Sequence, residues 1–352
     1  MKRRKILTGV LSAVLLLIIV LLFGIYFMFH GQLKAMKTIE KLDTGLYFME
    51  YKGDYGFDDF LAQGGADSDE AVGVYLSQFL SHGFYSMQPE TGKQGCSTIQ
   101  TKTQSEGYLF GRNYDWKDCT VMIVQTKPDN GYASISTCNM DFLRFGEDYL
   151  PESFLNKMLA LSAVYVPLDG MNEKGLCVAD LMIDTEETTN QNTGKVSLTT
   201  TTAIRLILDH AATVEEALDL LSKYDMHSSA GMMHHLAIAD VYGNSVVVEY
   251  IDNEMKVTET PVVTNFYLTP GEKYGIGSEQ SKQRYEILNI CLADENCEDM
   301  AQLKSALQSV SQKEMGAEYE MTVWSILYDQ KERSVEYYFR ENFEESYRYE
   351  LK

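Results

Sequence analysis

Positive charge is scarce in this sequence. It carries 30 Lys and Arg against 51 Asp and Glu, a formal net charge of −21. That excludes a nucleic-acid partner, whose phosphates need a basic face. Cysteine is sparse and unpatterned. The thiols are Cys96, Cys119, Cys138, Cys177, Cys291 and Cys297, with no CxxC pair and no metal-ligand spacing. No metal and no cofactor is therefore expected. Internal repeats and low-complexity tracts are missing too. What remains, 45% hydrophobic and 23% charged, is the composition of a packed globular core.

One tract lacks charge altogether. Ile6 to Phe29 is almost wholly apolar and follows the basic cluster Met1-Lys2-Arg3-Arg4-Lys5. A helix of that length rises about 36 Å, enough for a hydrocarbon core of about 30 Å. The expectation is a single-pass membrane anchor, with the basic end cytoplasmic and the rest extracytoplasmic. The alternative is secretion after signal cleavage. Outside the cytoplasm disulfides are permitted, and Cys119 with Cys138, or Cys291 with Cys297, are the candidate pairs. Cys177, in an apolar run, reads as a buried small hydrophobe. His234 and His235 open a strand-like run and face opposite ways, which argues against a shared metal.

Three regions follow. Residues 1–30 are the basic cluster and anchor, 31–95 a stalk and propeptide, and 96–352 the main domain. Gly31 to Lys41 is polar and basic, Gly45 to Tyr55 aromatic-rich, and Asp67-Ser68-Asp69-Glu70 opens a helix. From Cys96 on, strands are expected at Cys96–Lys102, Tyr108–Trp116, Val121–Thr126 and Tyr132–Cys138. Helices follow at Phe154–Ala163 and Thr200–His210, then one opened by Thr213. A hairpin turns at Gly243-Asn244. Helices at Gln283–Leu292 and Glu298–Val310 lead to a last hairpin. The order predicts an α+β fold of facing sheets with helices outside.

The chemistry centres on Cys96. A thiol attacks as the thiolate and needs a nearby positive charge or base. The returning strand carries Arg112, which favours a thiolate, and Asp115, which can orient an amine. If Cys96 is a new N-terminus, its own α-amine is the base. That amine titrates near 8 and a thiol near 8.5, so proton exchange between them is nearly balanced.

Cys96-Ser97-Thr98-Ile99 followed by Gly111-Arg112-Asn113-Tyr114-Asp115-Trp116 resembles the start of the mature choloylglycine hydrolase family. The family includes bile salt hydrolases, penicillin V acylases and relatives of the acid-ceramidase kind. Asp169-Gly170-Met171-Asn172-Glu173-Lys174-Gly175-Leu176, Val263-Thr264-Asn265 and Ser281-Lys282-Gln283-Arg284 resemble further segments of it, in the right order. The resemblance implies a four-layer αββα N-terminal-nucleophile hydrolase fold. It makes Cys96 the nucleophile, Arg112 and Asp115 its neighbours, Asn265 an oxyanion donor and Arg284 a brace. A second oxyanion donor falls on the backbone N–H of Met182, where bile salt hydrolases have asparagine and penicillin V acylases tyrosine.

The implied activity is hydrolysis of a linear amide in a small N-acyl substrate, through a thioester on Cys96, after self-cleavage between Gly95 and Cys96. The alternatives are acyl transfer to an amine and a non-catalytic, surface-anchored binding protein. A homo-oligomer is an open expectation.

Overall fold

Strand-forming runs dominate the chain, and they assemble into two large sheets held face to face by apolar side chains. The computed structural model describes residues 11–20, 23–24, 26, 29–81, 95–146, 149–313 and 321–351. In the nine-stranded sheet, β1 (Glu40–Asp43) and β2 (Leu46–Lys52) lead into β5 (Val121–Lys127), β6 (Ser134–Asn139) and β7 (Asp169–Asn172). The same sheet continues through β8 (Cys177–Ile183), β11 (Met233–Ala239), β12 (Ser245–Ile251) and β13 (Glu254–Glu259). The six-stranded sheet runs β14 (Val262–Thr264), β3 (Gly95–Lys102), β4 (Tyr108–Trp116), β15 (Met321–Asp329), β16 (Ser334–Phe339) and β17 (Tyr347–Glu350). A small parallel pair, β9 (Val196–Thr199) and β10 (Tyr224–His227), stands apart.

Helices cover the outer faces. Over the nine-stranded sheet lie α1 (His30–Thr38), α2 (Phe57–Ala62), α3 (Asp69–Ser81), α4 (Phe154–Ala160), α5 (Thr200–His210) and α6 (Val214–Leu221). Over the six-stranded sheet lie α7 (Glu279–Ala293) and α8 (Met300–Ser309). Period-two alternation divides each strand between layers. In β8, Cys177, Ala179 and Leu181 enter the core between the sheets, while Val178 faces the helices. Helix α6 starts as its sequence requires, the Thr213 hydroxyl accepting from the Glu216 N–H at 3.2 Å.

Two expectations meet a different structure. The stretch read as a stalk is folded. Ala35 and Met36 of α1 are buried, and β2 lies between β1 and β5, parallel to β5 from Leu46↔Val121 to Lys52↔Lys127. The proposed disulfide pairs are free thiols. Cys138 stands opposite Met122 and packs toward the helices, whereas Cys119 packs between the sheets. Cys297 instead donates to the Thr101 hydroxyl at 3.5 Å. The anchor expected at Ile6–Phe29 falls partly outside the described residues. Its residues 11–20 are helical and exposed, and among the described residues no helix is long and apolar enough to cross a membrane.

Side chains between Ala35 and Leu80 therefore belong to the core. Phe60 is 1% exposed, stacks with Phe57 and meets Tyr75 and Tyr165 edge to face. Phe60→Ala is expected to lower the unfolding free energy by about 3–5 kcal/mol in a denaturant titration. A dispensable leader would leave the midpoint where it is.

Candidate active site

β3 pairs antiparallel with β4 in the register Gly95↔Asp115, Cys96↔Tyr114, Thr98↔Arg112. Alternation sends Cys96, Arg112 and Tyr114 into the space between the sheets. It sends Gly95, Ser97 and Asp115 to the opposite face, under α7. The start of β3 is thus served from both sides.

Between the sheets, Arg112 is fully buried and each arm has a partner. Its Nε pairs with Asp169 Oδ2 at 2.8 Å, Nη1 donates to the Asp180 main-chain carbonyl at 2.6 Å, and Nη2 lies 3.6 Å from Cys96 Sγ. The Tyr114 ring lies 5.5 Å from the guanidinium. The Asp180 carbonyl is available because β8 outruns β7. Their pairing runs from Met171↔Cys177 to Asp169↔Ala179, and the Asp180 N–H still reaches the Leu168 carbonyl at 2.8 Å. Beyond that point two carbonyls of β8, those of Asp180 and Met182, meet side chains instead. The Met182 carbonyl, two residues on, accepts from Asn265 Nδ2 at 2.7 Å.

Asn265 follows the short strand β14, which pairs with β3 from Val262↔Ile99 to Thr264↔Ser97. Its Oδ1 accepts the Cys96 N–H at 2.6 Å and Arg284 Nη2 at 2.9 Å. Arg284 comes from α7, whose buried stripe is Ser281, Arg284 and Leu288. Its Nη1 donates to the Cys96 carbonyl at 2.6 Å, Ser97 Oγ at 2.7 Å and Asp115 Oδ2 at 3.2 Å. Asp115 is fully buried and also receives Thr322 Oγ1 at 2.6 Å and Gln312 Nε2 at 2.9 Å. The register of β15 on β4 shifts between Thr322 and Trp324, so a bulge aims the Thr322 hydroxyl at this carboxylate. The space before Cys96 is tight: a Cβ at Gly95 would lie 2.9 Å from Gln312 Nε2 and 3.2 Å from Asp115 Oδ2, so a larger residue would displace the Gln312 amide.

Electrostatically the thiol is quiet while its nitrogen is an amide. Burial pushes the Cys96 thiol up to about 12; Arg112 and Arg284 oppose the shift, and Asp115 and Asp180 add to it. Arg112 stays a cation. Burial works against its charge, but Cys96, Asp169 and Asp180 together outweigh that and raise its pKa.

The structure brings Cys96, Arg112, Asp115, Asn265 and Arg284 into one hydrogen-bonded network, with Met182 attached through its carbonyl and Gly95 packed against Asp115. Asn172 is a turn residue, its Oδ1 accepting the Lys174 and Leu176 N–H groups. Among the described residues no group of His, Cys, Asp and Glu could hold a metal. Asp180, to which the sequence assigns no role, lies inside β8, fully buried, with Oδ1 2.7 Å from His234 Nδ1. The signal was there: a carboxylate within an apolar strand demands a buried partner.

Asn265→Ala would remove the acceptor of the Cys96 N–H and of one Arg284 arm inside the protein. Each such loss costs about 1–3 kcal/mol. The expected result is a clear fall in unfolding free energy, about 2 kcal/mol or more by denaturant titration. An unchanged midpoint would show that the amide is not part of the lock.

Known proteins share this fold. Two solved structures, both variants of the conjugated bile acid hydrolase from Clostridium perfringens, superpose with TM-scores of 0.56 and 0.54. They share 18% and 17% identity, and each alignment covers 73% of this chain and 92% of theirs. That likeness establishes the fold. No curated protein matches the sequence. Residues 96–268 match the model of the linear amide C–N hydrolases, choloylglycine hydrolase family. The match begins at the cysteine around which the network is built. Over these residues the chain is similar to the choloylglycine hydrolase family, hydrolases acting on the carbon–nitrogen bonds of linear amides.

Proposed function

We propose that Cys96 becomes an N-terminal nucleophile and cleaves the amide bond of a small N-acyl substrate through a thioester. The observation that carries this reading is the environment of one residue. The nitrogen of Cys96 is held by Asn265 at 2.6 Å, while its thiol faces Arg112 at 3.6 Å. A nitrogen and a sulfur of the same residue, each with its own buried partner, are what the chemistry needs once the nitrogen is an amine.

The first event is self-cleavage. The Cys96 thiol attacks the Gly95 carbonyl carbon, the Gly95–Cys96 C–N bond breaks, and the acyl group passes to sulfur with release of an α-amine. Water then hydrolyses the thioester, leaving a carboxylate on Gly95 and a free thiol. In turnover the amine takes the thiol proton, and the thiolate attacks the substrate carbonyl. A primary amide carries two N–H donors. One from Asn265 serves Met182, and we assign the other, with the Met182 N–H, to the oxyanion. The leaving amine collects the proton, and water releases the acid. Asp115, fixed by Thr322, Gln312 and Arg284, orients the amine.

The segment before Cys96 stays bound after the cut in this reading, because β2 is an interior strand of the nine-stranded sheet. Supporting a membrane tether at Ile6–Phe29 are the exposed apolar side chains on the helical residues 11–20, among them Leu15, Leu16 and Leu17. The chain then works outside the cytoplasm.

Acid-quenched reactions with penicillin V and with bile amides provide the test. With a substrate that the parent turns over, an acyl adduct should appear on the peptide containing Cys96. Cys96→Ser should slow release of the amine on the order of a hundredfold or more. Unimpaired turnover by Cys96→Ser would exclude the thioester route.

A further inference from the structure

Two buried titratable side chains beside the site have no part in these steps. Asp180 and His234 sit on neighbouring strands β8 and β11, which pair from Met233↔Ile183 to Ala239↔Cys177. Asp180 is fully buried and His234 is 6% exposed. Their contact at 2.7 Å joins Asp180 Oδ1 to His234 Nδ1. The other ring nitrogen, Nε2, donates to the Ser229 carbonyl at 3.0 Å. With an oxygen acceptor at each nitrogen, the ring carries both protons and is an imidazolium.

The charged side chains that act on this ring are Asp180 from β8 and Asp69 from α3. Burial works against the imidazolium, but Asp180, the Ser229 carbonyl and Asp69 outweigh it and raise the His234 pKa above its ordinary value. Asp69 also fixes the turn that supplies the carbonyl. It accepts Ser229 Oγ at 3.0 Å and the Ala230 N–H at 2.6 Å, and Ala230 is held at a left-handed φ of 53°.

We propose that His234 is a positioning residue for the Cys96 site. It holds Asp180, whose main-chain carbonyl receives Arg112, and its imidazolium cancels the carboxylate charge that would oppose a thiolate. The inference rests on the nucleophile reading of Cys96 and deepens it. His234 is not the proton acceptor, since both ring nitrogens are already taken.

The need for such a device follows from the charges around Arg112. Its Nε is 2.8 Å from the buried Asp169 carboxylate, which neutralises much of its field at sulfur. Asp180 adds a second buried carboxylate that acts on Cys96 in the same unfavourable sense. An uncompensated Asp180 would leave the thiol facing a net negative surround. With His234 charged, the balance is three cations, Arg112, Arg284 and His234, against three anions, Asp115, Asp169 and Asp180. The same pair also has a mechanical part: the carbonyl of Asp180 anchors Nη1 at 2.6 Å, which aims Nη2 at the sulfur.

The test compares the parent with H234Q, D180N and the double variant D180N/H234Q. Iodoacetamide labelling of Cys96 is followed across neutral and alkaline pH by mass spectrometry of the peptide containing it. Removing the imidazolium alone should move the labelling midpoint to higher pH and slow labelling several-fold at neutral pH. D180N should move it the opposite way, and the double variant should return toward the parent. A purely structural role would shift all three variants in one direction. Should H234Q fail to accumulate, D180N against the double variant carries the same sign test, with D180N expected at the lower midpoint. A parent-like midpoint in H234Q, or a double variant shifted no less than H234Q, overturns the inference. Labelling of Cys96 in none of the four proteins overturns the nucleophile reading instead.

Discussion

A strand that runs past its neighbour leaves backbone groups that something must satisfy, and this site is built on that constraint. β8 continues to Ile183, while its pairing with β7 ends at Ala179. In a buried sheet an orphaned carbonyl costs as much as a lost hydrogen bond. Here the carbonyls of Asp180 and Met182 take side-chain donors, Arg112 and Asn265. Satisfying the strand and arming the cysteine are one arrangement. Arg112 reaches the thiol because a carbonyl aims it, and Asn265 reaches the Cys96 nitrogen because another carbonyl holds its amide.

Each layer then contributes one part. The six-stranded sheet carries Cys96, Arg112 and Asp115. The helix above it sends down Arg284, which ties the Cys96 carbonyl, Ser97, Asp115 and Asn265 together. The nine-stranded sheet offers the carbonyls, Asp169, and the Asp180–His234 pair. The part of the chain before Cys96 reaches the same network through Asp69 on α3. Because β2 pairs in register with β5 and α1 packs on it, this part of the chain is held in place by the sheet. Cleavage would free an amine without dismantling the fold.

Much of this was legible in the sequence where the signals are local. Alternation located β3, β4, β5 and β6, the Thr213 cap located α6, and Gly243-Asn244 located the β11–β12 turn. The β3–β4 hairpin alone places Arg112 and Asp115 near Cys96. What could not be read depends on distant pairings. β2 joins β5 across the whole of α2, α3, β3 and β4, so no turn announces it. Asp180 and His234 meet only because β8 and β11 are neighbours, and their residue types looked ordinary in isolation. The disulfide expectation failed for a related reason. Spacing suggested a hairpin between Cys119 and Cys138, but the register puts Met122 opposite Cys138 and sends the two thiols to different faces.

The central claim is that Cys96 works from a chain terminus. While its nitrogen remains in a peptide bond it cannot act as a base, and burial holds the thiol near 12. N-terminal sequencing and intact mass of the purified active protein, beside Cys96→Ala prepared in the same way, measure this directly. The account expects a fragment that begins at Cys96, co-purifying with the piece that precedes it, and a variant that stays whole. A fully active protein in which the Gly95–Cys96 bond is intact would contradict it.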